Sequence, residues 1–139
     1  MKKYSIIAVF ILGVGGVLSI FAQTPQKVSF HGSTYTLEVA DTDASRMLGL
    51  GERDFLCETC GMLFVFEKPG NQGFWMKGMR FPLDIVWLLD DQVVYIERHV
   101  SEKSQDIYYP GTPSNQVLEF RSGTADNLKR GDRVSFSHF

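Results

Sequence analysis

From Val28 onward the apolar residues come in short runs, each soon broken by Gly, Pro or Asp, and this punctuation constrains the fold more than any other feature. Runs of about 5–6 residues rich in Val, Ile, Phe and Tyr are strand-length pieces. Tyr35, Leu37 and Val39 alternate with Thr36 and Glu38, the period-2 pattern of a half-buried strand. Strands are expected at Val28–Phe30, Thr34–Val39, Met62–Phe66, Ile85–Leu89, Val93–Val100, Val117–Phe120 and Arg133–Phe139, with turns at His31-Gly32-Ser33 and Asp90-Asp91. Helix signals are few. Asp41-Thr42-Asp43 offers caps for a short helix over Ala44–Leu50 closed by Gly51, and Thr124–Lys129 forms a second candidate ending at Gly131. Neither is long enough to carry a parallel crossover, so the expected fold is mainly β: a compact antiparallel β-sandwich or barrel with one or two short helices.

The N-terminus follows different rules. Lys2 and Lys3 precede an uncharged apolar run from Ser5 to Ala22, so residues 1–22 read as a signal peptide or an N-terminal membrane anchor. The run approaches the ~20 residues that span a bilayer, while Ala22 offers a cleavage point weakened by bulky Phe21. Either way the two lysines hold the N-terminus inside and place the rest outside the cytoplasm. The expected location is therefore periplasmic, secreted or anchored to the outer face of the cytoplasmic membrane. Residues 23–27 form a short tether, and 28–139 one domain. The chain carries a net charge of −2, and without Lys2 and Lys3 twelve basic side chains face 16 acidic ones. No basic patch exists to neutralise phosphates, which argues against nucleic-acid binding. A small molecule or an envelope protein is the expected partner, with membrane contact through the N-terminal segment if it is retained.

One stretch combines charge with an apolar setting. Phe74-Trp75-Met76-Lys77 is followed by Pro82-Leu83-Asp84-Ile85, and if these segments lie side by side Lys77 and Asp84 meet over an apolar pocket lined by Trp75 and Met79. The competing reading has Asp84 capping backbone N–H groups in its own loop and Lys77 solvated. Arg46 either contacts a ligand or pairs with Asp43 one helical turn away. Of the adjacent Trp75 and Met76, one enters the core, and Trp75 is the better pocket wall. Cys57-Glu58-Thr59-Cys60 is a disulfide outside the cytoplasm, or a redox or soft-metal pair with Met62, Met76 or Met79. The pair lacks the strand-to-helix setting of a thioredoxin motif. His31, His99 and His138 have no metal-ligand spacing, and no hydrolase motif or phosphate loop is present, so no catalytic residue, metal ligand or cofactor is assigned. Tyr108-Tyr109 in the turn-rich Ser104–Ser114 segment either covers a sheet edge or contacts carbohydrate or peptide.

Several ordered motifs together resemble the DUF192 family. They are Gly61–Phe66, Phe74–Lys77, Pro82–Ile85 and Val93–Ile96, preceded by Val39–Thr42 and by Arg46 ahead of Gly49-Leu50. Val117–Phe120, Gly123-Thr124 and Gly131–Val134 complete the match, which runs from about Val28 to Val134. The resemblance implies a compact, mostly β domain, often exported, with no established activity. This chain departs from the family pattern at Gly78-Met79, where Asn-Thr is usual, at Gly51, where Met is common, and at Cys57 and Cys60, in a loop that normally lacks cysteine.

Three functional classes follow. The leading one is a noncatalytic extracytoplasmic binding or accessory module with one small cleft. An enzyme using Lys77 and Asp84, with Arg46 beside them, is the second; a thiol or soft-metal protein using Cys57 and Cys60 is the third.

Overall fold

The computed structural model describes residues 26–138. The candidate leader, the first part of the tether and Phe139 lie outside the described residues. Gln26 and Lys27, assigned above to the tether, are already strand: β1 spans Gln26–Phe30. It is followed by β2 (Ser33–Ala40), α1 (Asp43–Leu48), β3 (Cys60–Gly70), β4 (Phe74–Trp75), β5 (Leu83–Leu89), β6 (Gln92–Val100), β7 (Ile107–Tyr108), β8 (Ser114–Arg121) and β9 (Ser135–His138). Seven strands form one curled sheet in the order β6-β5-β8-β3-β2-β1-β9, and β4 and β7 form a separate ribbon. All pairings are antiparallel except β2 with β3, which run parallel through the α1 connection. A short helix therefore does take part in a crossover, helped by the irregular chain between α1 and β3.

Local chemistry explains the elements. The hairpins β1–β2 and β5–β6 turn through His31-Gly32 and Asp90-Asp91, with φ positive at both residues of each pair, the geometry of two-residue turns that match strand twist. α1 starts at a capping box, in which Thr42 Oγ1 accepts from the Ser45 N–H and Ser45 Oγ accepts from the Thr42 N–H. It closes at Gly49, where φ is 51°, rather than at Gly51. Thr124–Lys129 is not helical but a series of turns. Its backbone groups are taken by side chains: Asp84 accepts from the Gly123 and Ala125 N–H groups, and Arg98 donates to the Ala125 and Leu128 carbonyls.

The curled sheet buries both faces. Its inner face carries Val28, Leu37, Leu63, Val86, Leu118 and Phe120, and the chain after β8 closes over it with Ala125, Leu128 and Val134. The sheet edges meet where Val93 N–H donates to Asp132 O (2.8 Å) and Val134 N–H to Asp91 O (3.0 Å). The outer face carries Met62, Phe64, Ile85, Trp87 and Val117, covered by Leu50, Leu56, Phe74 and Met76. That outer cover is incomplete, and the gap is the candidate site.

Candidate functional site

Strand parity decides which side chains reach this gap. Leu83, Ile85 and Trp87 of β5 belong to the outer core, so Asp84, between the first two, points to the inner face. In β8, Glu119 pairs with Ile85 and lies two residues from Val117, so it points outward with them. The residue expected in the cleft is thus absent from it. One that the motif reading passed over, inside Val117-Leu118-Glu119-Phe120, is present.

The cleft has a volume of about 240 Å³. Phe64 and Phe66 of β3 and Phe74 and Trp75 of β4 give it aromatic walls, and Met47, Leu48 and Met79 extend the apolar lining. Phe74 holds the walls together by edge-on contacts to Phe64 (4.8 Å between centroids) and Trp87 (5.7 Å). The Trp87 indole N–H is satisfied by the Gln72 carbonyl at 2.8 Å. Gly49 lets the chain pass close overhead, since a Cβ there would stand 3.3 Å from the Phe64 ring and 3.8 Å from Glu119 Oε2.

Glu119 is the chemical centre of the cleft. It is only 4 % exposed, and no donor or cation of the described residues engages its carboxyl. Burial alone lifts its pKa from 4.5 to about 8, so at neutral pH the empty cleft holds mostly a neutral carboxylic acid.

Arg46 lines the same cleft but is already committed. Its guanidinium donates to the Asp41 and Val65 carbonyls (2.7 and 2.8 Å) and to Asp43 Oδ1 (2.6 Å), and it lies 5.2 Å from the Phe66 ring centroid. The expected Asp43 pairing is present, and the bonds to backbone make Arg46 the clamp that seats α1 on β3. Trp75, 40 % exposed, forms an outer wall while its neighbour Met76 is buried, the division that parity allows. Lys77 is exposed at the rim.

Asp84 is fully buried on the other side of the sheet and does not meet Lys77. Its Oδ1 accepts from the His99 N–H (2.9 Å), and its Oδ2 from the Gly123 and Ala125 N–H groups (2.9 and 2.8 Å). It does cap backbone, as the competing reading held, but in loops distant in sequence rather than its own. The shared Lys77–Asp84 cleft is therefore corrected to a cleft with Lys77 at its rim and Glu119 at its floor.

Cys57 and Cys60 form a disulfide across the Glu58-Thr59 turn. Both sulfurs are thereby withdrawn from the soft-metal arrangement. Tyr109 packs over Gly73, where a Cβ would stand 2.5 Å from its ring, and Tyr108 pairs with Phe74 in the small ribbon. The tyrosine segment thus covers β4, and through it braces a wall of the cleft.

Two solved structures share this fold. One, described as a "putative transcription regulator" from Sinorhizobium meliloti 1021, is 28 % identical, with a TM-score of 0.73 over 81 % of this chain and 92 % of that one. The other is a protein of unknown function from Novosphingobium aromaticivorans DSM 12444, 30 % identical, with a TM-score of 0.73 over 80 % of this chain and 83 % of that one. Comparison with curated proteins gives no match. The family model for DUF192, described as an uncharacterized ACR, matches residues 17–136, and the chain belongs to that family.

Proposed function

We propose that this chain is a noncatalytic small-molecule-binding module whose ligand enters the cleft between α1, β4 and the outer face of the sheet. The observation that carries the reading is Glu119, a largely buried residue whose carboxyl opens to an aromatic-walled cleft and has no hydrogen-bond or ion-pair partner among the described residues. Holding a carboxyl without a protein partner in a mostly apolar cleft costs stability, and a ligand that pairs with it offsets that cost. Among the described residues no hydroxyl or thiol lines the cleft beside Glu119, and the rest of the lining is apolar apart from Gln72, Lys77 at the rim and the mutually paired Arg46 and Asp43. This favours binding over catalysis.

The reading extends to an extracytoplasmic setting, supported by the Lys2-Lys3 and apolar leader pattern and by the disulfide, which suits an oxidising compartment. Trp75 at the wall provides the test. The full chain is titrated with single-ring compounds of each charge type, following tryptophan emission in the native protein and in Trp75→Phe, where only buried Trp87 reports. Binding is expected as a saturable change in Trp75 emission accompanied by a raised melting temperature. A panel in which no cationic, neutral or anionic compound gives either signal overturns the proposal.

A further inference from the structure

The cleft also carries information about the charge of what it binds. Its volume of about 240 Å³ exceeds the roughly 150 Å³ of an apolar cavity that accepts benzene. One ring with a short arm therefore fits. Phe64, Phe66 and Phe74 line the walls, and aromatic rings attract cations over their faces. Arg46 already exploits this over Phe66.

None of the described residues supplies a cation to the floor. Besides Glu119, the titratable groups lining the cleft are Asp43 and Arg46 from α1 and Lys77 following β4. Arg46 is bound to Asp43 and to two carbonyls, Lys77 is exposed at the rim, and neither forms an ion pair with Glu119. β3 and β5 present only apolar side chains to it, Met62 and Phe64 from one and Ile85 from the other. An anionic ligand would set its charge against Glu119 in a mostly apolar cleft. A cationic ligand finds a carboxylate and aromatic rings lining one cleft.

We infer that the cleft is a site for a small organic cation, an amine borne on a single ring, whose ammonium group is received by Glu119 while the ring packs on Phe64, Phe66 and Phe74. This inference rests on the binding function proposed above. The ammonium keeps its protons and donates to Glu119, whose own carboxyl proton leaves to solvent. Binding therefore releases up to one proton wherever the empty site is protonated. Below the Glu119 pKa of about 8 the affinity for such a cation rises with pH, and above it the affinity levels off. A neutral ligand that accepts a hydrogen bond from the protonated acid shows the opposite trend.

The experiment compares phenethylamine, cationic throughout the range used, with phenethyl alcohol and 3-phenylpropionate on the full-length native chain by calorimetry. Phenethylamine is expected to bind about tenfold or more tighter than the alcohol at pH 8, and to gain up to about tenfold in affinity per pH unit between about pH 6 and pH 7. Glu119→Gln, which preserves shape, is expected to remove both the preference and the pH dependence while keeping the melting temperature at or above that of the native protein. Equal binding of amine and alcohol, or a preference that survives in Glu119→Gln, overturns the cation assignment but leaves the binding function standing. Failure of all three compounds to bind counts against both.

Discussion

Glu119 shows how one side chain can be costly to the fold and useful to a site. In the unfolded chain its pKa returns to the ordinary carboxylate value of 4.5, whereas in the native state it is about 8. Between these values the native state holds more protons than the unfolded state, so stability falls as pH rises. The cost is absent below about pH 4.5, grows through neutrality and is complete above about pH 8. It amounts there to several kcal/mol in order of magnitude. We expect denaturant midpoints of the native protein to decline from about pH 5 to about pH 8 and then flatten with respect to this group. Glu119→Gln should lack that decline and be the more stable protein at pH 8. A native profile no steeper than that of the variant would show that the carboxyl is solvated after all. The charge in Val117-Leu118-Glu119-Phe120 was visible in the sequence, and its spacing of two from Val117 already put it on an apolar face. Neither feature told which neighbours would leave it unpaired, because Gly49 and the β4 ribbon reach it only through the tertiary fold.

At the level of elements, Asp84 is structural. Leu83 pairs with Val100 but Ile85 with Glu97, so β6 carries an extra residue opposite Asp84. His99 adopts a φ of 53° in that bulge, and its N–H turns to the Asp84 carboxylate instead of a ladder carbonyl. The same carboxylate gathers two N–H groups of the chain after β8, while Arg98 from the bulge binds that segment's carbonyls. This is why the Thr124–Lys129 signals do not produce a helix: the donors and acceptors that a helix would pair internally are met from outside. The strands were legible because alternation and two-residue acidic or glycine turns are local properties. The β4–β7 ribbon was not, since two-residue strands leave no pattern to read. Replacing Asp84 with Ala strands three backbone donors, that of Ala125 buried and those of His99 and Gly123 partly so, and should cost about 3 kcal/mol. Urea unfolding measures the loss. The cleft lies on the opposite sheet face, so ligand binding by the folded fraction should be unaltered; a variant as stable as the native protein would remove Asp84 from this role.

For the molecule as a whole, the sheet has to be assembled before a site exists. β8 lies between β3 and β5, and β2 meets β3 in parallel across the whole α1 connection, so the cleft draws on segments far apart in the chain. Such pairings are set by burial on both faces, and short motifs carry little information about them. Lys77 and Asp84 looked like partners because they are close in sequence, yet the pleat sends Asp84 to the inner core and leaves Lys77 on the cleft rim. The disulfide bears on the proposed extracytoplasmic location. Cys57 is exposed, Cys60 is half-buried at the start of β3, and Cys60 N–H bonds back to the Cys57 carbonyl at 3.1 Å, so the turn is formed by backbone as well as by sulfur. The crosslink closes a very short loop, which limits its entropic stabilisation to about 2 kcal/mol. The fold should therefore survive reduction, with a modest drop in melting temperature, and the exposed bond would be vulnerable in a reducing cytoplasm. Intact-mass measurement on protein taken from cells with thiols trapped is expected to find the chain two hydrogens lighter than its reduced form. The same spectrum reports whether residues 1–22 are retained or removed. Free, trapped thiols on the cellular protein would overturn the proposed extracytoplasmic location, because the disulfide is the folded domain's support for that proposal.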